Sequence, residues 1–178
     1  MRVIFVRHCL TDWNAQKRIQ GHTDIPLNRV GREQAEIIAS ALGEQNVTRI
    51  ISSSLSRASE TATIIGAKLH RTVDHDKRLM ECGFGTLEGK TLDDVAEIIG
   101  GVMPPAAAPY DFRAWGGEHR DGVLARTLAA LADALAEPSE GAVILVGHGR
   151  SHNTLLHHLG EAPLPDRADW RIIDVRLP

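Results

Sequence analysis

The chain has 178 residues, of which 43% are hydrophobic and 24% are charged, and its formal net charge is −3. These values are typical of a globular protein that buries a sizeable core, and we expect one domain over residues 1–178. The negative charge argues against a nucleic-acid partner. The apolar runs are too short to span a membrane or to act as a signal peptide. Two cysteines do not make a disulfide framework, so we expect a reduced, cytoplasmic protein.

The chain opens with a short apolar run that is followed by an arginine and a histidine. Residues 3–6 (VIFV) predict a buried strand, and Arg7 and His8 would lie at its carboxyl end, where open α/β sheets place their ligands. Arginine presents a planar fork of donors that matches phosphate or carboxylate, and neutral histidine offers a nucleophilic nitrogen. A long polar loop over residues 10–27 follows, and such loops are often functional.

The apolar spacing then predicts alternating helices and strands. Before residue 100 these are a helix from an N-cap at Asn28 to about Gln45, a strand at Val47–Ile51, a helix at about Ser56–Leu69, a weak strand at Thr72–Val73 and a helix from a Thr91–Asp94 capping box to about Ile99. After residue 117 they are a helix that ends before Pro138, an apolar strand at Ala142–Val146, a helix at about Ser151–Leu159 and a last strand at Trp170–Val175. This alternation predicts a three-layer α/β fold with a mostly parallel central sheet flanked by helices, and it places Ala142–Val146 near the centre of the sheet.

Residues 100–117 are rich in glycine, proline and alanine, and we interpret them as a lid or specificity loop. Four large side chains stand in this segment: Met103, Tyr110, Phe112 and Trp115. They either favour a substrate with an apolar or ring-bearing part or pack the segment onto the domain.

Basic side chains follow three of the predicted strands. Arg7 and His8 follow the first strand, Arg57 follows the second and His148 follows the late central strand. Because parallel strands bring their carboxyl ends to one edge of a sheet, these side chains are expected to meet there and form a pocket for a dianion. Taken singly, Arg57 is equally a helix-surface residue and His148 a turn residue, but the repeated theme favours the pocket.

Five short blocks follow one another along the chain. They are Arg7-His8-x-x-Thr11-x-Trp13-Asn14, Gly21-x-x-Asp24-x-Pro26-Leu27, Ser54-x-Ser56-Arg57-Ala58-x-x-Thr61-Ala62, Glu81-x-x-Phe84-Gly85-x-x-Glu88-Gly89 and Gly147-His148-Gly149. In this order they cover nearly the whole chain, and they resemble the histidine phosphatase superfamily in its phosphoglycerate-mutase-like branch.

This resemblance implies phosphoryl transfer. His8 would attack phosphorus in line and become a phosphohistidine. Arg7, Arg57 and His148 would hold the phosphoryl oxygens as charge builds in the transition state, since such transfers depend mainly on positioning and preorganised charge.

The resemblance assigns the proton transfers to Glu81, which would protonate the departing alkoxide and then take a proton from the attacking water. Glu88, in the same loop, would be structural. Asn14, Thr23 and Gly149 would bind substrate, although a solvated loop position is an equal alternative for Thr23. No metal or cofactor is implied, because cationic side chains already supply the charge.

Four polar positions have structural alternatives. His148 and His152 stand at metal-ligand spacing, but no acidic or thiolate partner lies nearby in sequence, so we do not expect zinc. Glu118 and His119 fit a role at the start of the following helix better than one in the site.

Cys9 and Cys82 adjoin the proposed nucleophile and the proposed acid. The resembling family commonly carries a small residue at the first of these positions, and a thiol is small enough to fit. One hypothesis is an oxidation-sensitive pair of thiols. The alternative is two packed small hydrophobic side chains.

Details of the resemblance favour a phosphatase over a mutase. Mutases of this branch are longer, with an insertion and a C-terminal tail that shield the phosphohistidine from water, and they carry basic residues that grip the substrate carboxylate. Here Arg113 is the one basic residue of segment 100–117, and the chain ends soon after its last predicted strand. We therefore expect a phosphomonoester hydrolase that acts on a small phosphorylated metabolite. The alternatives are a phosphoglycerate mutase, a protein phosphohistidine phosphatase and a non-catalytic phosphate-binding module.

Overall fold

A five-stranded sheet organises the fold in the computed structural model, which describes residues 1–136, 140–164 and 169–175. The strands are β1 (Arg2–Arg7), β2 (Val47–Ser52), β3 (Val73–His75), β4 (Ala142–Gly147) and β5 (Trp170–Asp174). The helices are α1 (Asp12–Ala15), α2 (Arg29–Ala41), α3 (Ser56–Leu69), α4 (Leu92–Ile99), α5 (Arg120–Ala136) and α6 (Gly149–His158). Within these described ranges, no helix is long and apolar enough to cross a membrane.

The strand order is β3-β2-β4-β1-β5. The first four strands are parallel, and β5 runs antiparallel to β1 at the edge. Every residue of β4 is buried, as its continuous apolar sequence predicts for a central strand. The register places Arg7 opposite Gly147 and Ser52 opposite Val146. The strands β1, β4 and β2 therefore end at the same edge of the sheet.

Helices cover both faces of this sheet. Ile144 and Val146 of β4 pack into one apolar cluster with α2 and α3, whereas Val143 and Leu145 pack into a second cluster with α5 and α6. Successive strand residues point to opposite faces, so one apolar strand supplies both clusters. The predicted three-layer α/β fold is confirmed.

Segment 100–117 is held to the rest of the protein by its aromatic side chains. Tyr110 and Phe112 are only 4% and 2% exposed. Phe112 packs against Phe84, with ring centroids 4.9 Å apart, and Trp115 contacts the same apolar cluster. The packing alternative therefore holds for these rings, and Met103 both packs against this cluster and lines the cavity of the candidate site.

Several helix ends follow the sequence signals. The Asn28 side chain caps α2, and Thr91 with Asp94 forms the predicted capping box of α4. The prediction that α2 continues to about Gln45 is wrong, because the chain turns at Gly43, whose N–H donates to the Ser40 carbonyl. The predicted stop before Pro138 falls next to residues 137–139, which lie outside the described residues.

Two helical starts differ from the sequence prediction. The polar loop 10–27 contains the short helix α1, which a second capping box between Thr11 and Asn14 begins. Helix α6 begins at Gly149, not at Ser151, with His148 at its N-cap position. The first turn of α6 therefore lies directly at the carboxyl end of β4.

Candidate active site

Strand β1 delivers His8 to the carboxyl edge of the sheet, where its backbone N–H donates to the Gly147 carbonyl at 2.9 Å. The ring Nδ1 lies 2.8 Å from the Cys9 carbonyl oxygen. Because a carbonyl only accepts, Nδ1 carries the hydrogen and Nε2 keeps its lone pair. Burial, together with the charges of Arg57 and Arg7, lowers the pKa of His8 well below its usual value. The imidazole is therefore neutral at neutral pH, the state in which it is a nucleophile.

His148 stands beside His8, with 5.2 Å between the ring centroids. Its Nε2 lies 2.8 Å from the Ser53 hydroxyl oxygen, which also accepts the Leu55 N–H at 3.3 Å. A hydroxyl oxygen has two lone pairs and one hydrogen, so this contact is compatible with either tautomer of the ring. The Nδ1 of His148 is buried and has no hydrogen-bond partner among the described residues. This nitrogen is a polar atom that a bound ligand can pair.

Arg57 in the first turn of α3 is fully buried. Its Nη2 donates to the Gly21 carbonyl at 2.7 Å, and its Nη1 donates to the Thr23 carbonyl at 3.0 Å. Burial lowers the pKa of Arg57 to about 10, against the raising effect of nearby carboxylates led by Glu81. The guanidinium therefore keeps its charge at neutral pH, and two carbonyls of the polar loop fix its orientation.

Arg7 packs against the backbone of Gly149 at the start of α6. A Cβ placed on Gly149 would lie 2.8 Å from the Cζ atom of Arg7 and 3.0 Å from its Nε. Real Cβ atoms do not approach that closely, so a side chain at position 149 would displace the guanidinium. Glycine here permits the close approach of Arg7 to the first turn of α6.

The carboxylate of Glu81 is fixed at the same end of α6. Its Oε1 accepts the N–H groups of Cys82 and Ser151, both at 2.9 Å, and its Oε2 accepts the N–H of Arg150 at 3.2 Å. Two of these three donors belong to the first turn of α6, where helical N–H groups lack intrahelical partners. Glu81 is thereby held next to Gly149, on the edge of the sheet that carries His8.

Two charged side chains, Arg126 and Glu118, hold the loop that contains Glu81 in place. Arg126 of α5 donates to three backbone carbonyls of residues 78–81 at 2.6–2.8 Å. It also makes two hydrogen bonds of 2.9 Å to Glu118, whose carboxylate accepts the Gly83 N–H at 2.8 Å. Burial raises the pKa of Glu118, but hydrogen bonds from His22 and Arg126 outweigh it and hold that pKa at about 2. The expected helix-start role is therefore wrong for Glu118, because its carboxylate binds Gly83 and Arg126. It holds for His119, whose Nδ1 accepts the Asp121 N–H in the first turn of α5 at 3.2 Å.

The side chains meet in one open cavity of about 310 Å³. The predicted site residues that line it are Arg7, His8, Asn14, Arg57, Glu81 and Gly149. Asn14 uses its Oδ1 to accept from Thr11, which leaves its amide hydrogens for the cavity.

Two predicted site residues, Thr23 and His148, are not among the described residues that line the cavity. His148 is fully buried beside His8, whereas the Thr23 hydroxyl donates to Glu88 at 2.6 Å. Glu88 also accepts the backbone N–H groups of His22, Thr23 and Phe84. Glu88 therefore holds the loop through Thr23 in place, which agrees with the structural role expected for it.

Five polar cavity residues were not singled out from the sequence: Lys17, Arg18, Gln20, Arg150 and Asn153. For three of them, their position in the sequence close to a predicted site residue could have indicated a place in the cavity. Arg150 directly follows the Gly147-His148-Gly149 block, and Lys17 and Arg18 follow Asn14 by three and four residues.

The two cysteines lie in separate apolar clusters, Cys9 beside α2 and α3 and Cys82 beneath segment 100–117. Burial raises the pKa of Cys9 to about 11 and raises that of Cys82 further. Reactive thiols need a lowered pKa, so the structure favours packed small side chains over an oxidation-sensitive pair.

Three buried histidines are expected to make the protein less stable in mild acid. Burial is the main cause that lowers the pKa of His8, His148 and His152, the last to about 4. In the unfolded chain these imidazoles return to a pKa of about 6.5. Below that pH the unfolded chain binds more protons than the folded one, so the free energy of unfolding falls as pH decreases.

Each of these histidines contributes up to about 1.4 kcal/mol per pH unit between its unfolded and folded pKa values. We expect the Tm measured by circular dichroism to be level above pH 7 and to fall between pH 6.5 and pH 5. His22, whose pKa Glu118 raises, acts in the opposite sense, but it is one half-exposed group. The exposed His70 offers a control. His70→Asn leaves the buried imidazoles in place, so its Tm should fall with pH as that of the wild type does. A Tm that does not change from pH 7 to pH 5 would contradict this account.

Comparison with known proteins places this arrangement in a family. The family model of the histidine phosphatase superfamily, branch 1, matches residues 3–175. Over 150 residues the chain is 37% identical to a probable phosphoglycerate mutase, GpmB, of Salmonella paratyphi A. This alignment covers 84% of this chain and 70% of the Salmonella protein.

Solved structures give the same assignment. Mycobacterial glucosyl-3-phosphoglycerate phosphatase in complex with VO3 is 29% identical, with a TM-score of 0.84 over 97% of this chain and 90% of that one. YhfR of Bacillus stearothermophilus is also 29% identical, with a TM-score of 0.80 over 98% of this chain and 91% of that one. The chain belongs to the histidine phosphatase superfamily, branch 1.

Proposed function

We propose that this protein is a metal-independent phosphomonoester hydrolase that works through a phosphohistidine on His8. The observation that carries the proposal is the 2.8 Å contact between Nδ1 of His8 and the Cys9 carbonyl oxygen. A carbonyl only accepts, so this contact assigns the hydrogen to Nδ1 and leaves Nε2 with its lone pair. The same cavity is lined by Arg7 and Arg57, which supply positive charge for a phosphate. Membership of the histidine phosphatase superfamily supports this chemistry.

In the first step, Nε2 attacks phosphorus, a P–N bond forms and the ester P–O bond breaks. Negative charge on the three equatorial oxygens is stabilised by Arg7 and Arg57. The proposal also assigns to these oxygens the His148 ring, whose centroid lies 5.2 Å from that of His8, and the amide of Asn14. Donors that are already in position cost little reorganisation when charge develops, and this is the main source of catalysis in phosphoryl transfer.

Glu81 moves the proton in both steps. Its carboxylic acid gives a proton to the departing alkoxide, and the resulting carboxylate then takes a proton from the water that attacks phosphorus. The P–N bond breaks in this second step, and inorganic phosphate leaves. The proposal is supported by the position of Glu81 in the cavity and by the N–H groups of Ser151 and Arg150 that hold it there.

The residues next to this machinery take positioning roles in the proposal. Thr23 is assigned to positioning, because its hydroxyl binds Glu88 and its carbonyl accepts from Arg57. A cavity of about 310 Å³ suits a small phosphorylated metabolite. The proposal also places the enzyme in the cytoplasm, where Cys9 and Cys82 would stay reduced.

Segment 100–117 contributes no basic side chain to the described cavity, and this supports a phosphatase over a mutase. Arg113, the one basic residue of segment 100–117, pairs with Asp111 at 2.7 Å and is 66% exposed. It does not line the described cavity. The alternative function, phosphoglycerate mutase, is supported by the name of the Salmonella relative.

Phosphate release separates these functions. We expect the purified protein to hydrolyse p-nitrophenyl phosphate and to release inorganic phosphate and glycerate from 3-phosphoglycerate. A mutase would interconvert 2- and 3-phosphoglycerate faster than it released phosphate, and that result would overturn the hydrolase proposal. Failure to turn over any of these compounds would leave the non-catalytic phosphate-binding module.

A further inference from the structure

The cavity holds more positive charge than a phosphoryl group needs. Five cationic side chains line it, and Glu81 is the one carboxylate among the described lining residues. Arg7 and Arg57 are assigned to the phosphoryl oxygens. The remaining three cations are Lys17, Arg18 and Arg150.

Arg150 stands out among these three because part of its guanidinium is buried, and no carboxylate of the described residues forms an ion pair with it. Its Nη2 donates to the Pro104 carbonyl at 2.7 Å, and its Nη1 is buried without a hydrogen-bond partner among the described residues. By contrast, Arg126 and Arg113 each bind a carboxylate at 2.7–2.9 Å. Holding a guanidinium away from water without a counter-ion costs free energy, and a bound anion recovers that cost.

Aromatic rings hold the Arg150 guanidinium in place. Its Cζ atom lies 4.7 Å from the ring centroid of Tyr110, 5.4 Å from that of Phe112 and 5.6 Å from that of Phe84. The rings attract the cation through their faces. A stacked guanidinium keeps its edge for two parallel hydrogen bonds to a carboxylate or phosphate.

Asn153 adds a neutral donor on the same face of α6. It follows Arg150 by three residues, a spacing that places two side chains side by side on a helix, and both line the cavity. Its Oδ1 accepts the Leu164 N–H at 2.8 Å. The two hydrogens of its amide are then available to a ligand.

The position of Arg150 relative to the proposed acid, Glu81, shows which part of the substrate Arg150 faces. The backbone N–H of Arg150 donates to the carboxylate of Glu81, which is assigned to protonate the leaving alkoxide. In an in-line displacement the leaving group departs on the side opposite the attacking His8. The Arg150 side chain therefore belongs to the half of the cavity that receives the leaving group.

We propose that Arg150, with Asn153, binds a second anionic group on the leaving-group portion of the substrate. The preferred substrate is then a phosphate ester of a small molecule that also carries a carboxylate or a further phosphate. This inference rests on the proposed phosphatase function. It assigns the selection of substrate to side chains of α6, because segment 100–117 brings no basic side chain to the described cavity.

Matched substrate pairs test the inference. For a carboxylate the pair is 3-phosphoglycerate and glycerol 3-phosphate, and for a second phosphate it is fructose 1,6-bisphosphate and fructose 6-phosphate. We expect the wild type to have the higher kcat/KM for the charged member of at least one pair. Arg150→Met, which removes the charge, should lower that ratio roughly tenfold to a hundredfold, the usual effect of losing a charge-assisted hydrogen bond.

Three further variants complete the test. Arg150→Lys keeps a charge without the planar fork and should give an intermediate ratio, and it replaces Arg150→Met if that variant melts early. Asn153→Leu should lower the ratio in the same direction. Arg113→Met removes an exposed arginine outside the cavity and should leave the ratio at the wild-type value.

The pair that responds identifies the anion as a carboxylate or as a phosphate. Turnover of p-nitrophenyl phosphate with no preference for a charged substrate, or with a ratio that Arg150→Met does not change, would overturn the inference and leave the phosphatase function standing. If wild-type protein turned over none of these compounds, including p-nitrophenyl phosphate, the proposed function itself would fail.

Discussion

His8→Ala is expected to lower the turnover of p-nitrophenyl phosphate by about 10⁴-fold or more, the scale seen when a nucleophile is removed from a site that otherwise stays intact. The variant loses the Nε2 lone pair and with it the P–N bond, while Arg7, Arg57 and His148 still bind phosphate. Inorganic phosphate should therefore still bind to the variant, even though turnover is lost. The measurement is steady-state hydrolysis combined with alkaline-quench trapping of a phosphoryl adduct.

The chemical stability of that adduct distinguishes the mechanism. A phosphohistidine is labile in acid and survives in base, so label from a phosphate ester should be retained by wild-type protein under alkaline quench and lost on acidification. His8→Ala should show no label. His158→Ala, which removes an exposed histidine on α6, is the matched control and should behave as the wild type. Activity of His8→Ala within tenfold of the wild type would contradict nucleophilic catalysis by His8.

The meeting of His8, Arg57 and His148 was predictable because each follows a strand, and parallel strands end at a common edge. The structure shows this proximity directly. Arg7 pairs with Gly147 in the sheet, and the ring centroids of the next residues, His8 and His148, lie 5.2 Å apart. The caps of α2 and α4 were predictable for a similar reason, because they depend on side chains within one turn of the helix.

Contacts between loops could not be predicted in this way. Glu118 stands just before α5 in sequence, yet its carboxylate binds Gly83 and Arg126 because the loop of Glu81 lies across it. Arg150 was visible in the sequence as a basic residue after a motif. That it stacks on Tyr110 and Phe112 depends on how segment 100–117 packs, which no local spacing reports.

Glu81→Gln is expected to act selectively on substrates with poor leaving groups. For an alkyl phosphate such as glycerol 3-phosphate, loss of the general acid should lower kcat/KM by about 10²- to 10⁴-fold. The loss should be much smaller for p-nitrophenyl phosphate, because nitrophenolate leaves without a proton. The amide oxygen of glutamine can still accept from Cys82 and Ser151, so of the three backbone hydrogen bonds only that from Arg150 is lost.

This selectivity separates proton transfer from damage to the loop. The comparison uses kcat/KM, which covers the steps up to P–O cleavage and so excludes the later step in which Glu81 activates water for both substrates. A displaced loop would lower kcat/KM for both substrates alike, since it would disturb the phosphoryl site that they share, whereas a missing proton matters only in proportion to the basicity of the leaving oxygen. Glu97→Gln, an exposed carboxylate on α4, should leave both rates unchanged. Equal losses on the alkyl and nitrophenyl esters in Glu81→Gln would remove Glu81 from the role of general acid, because the proton would then have to come from another group in the cavity or from water.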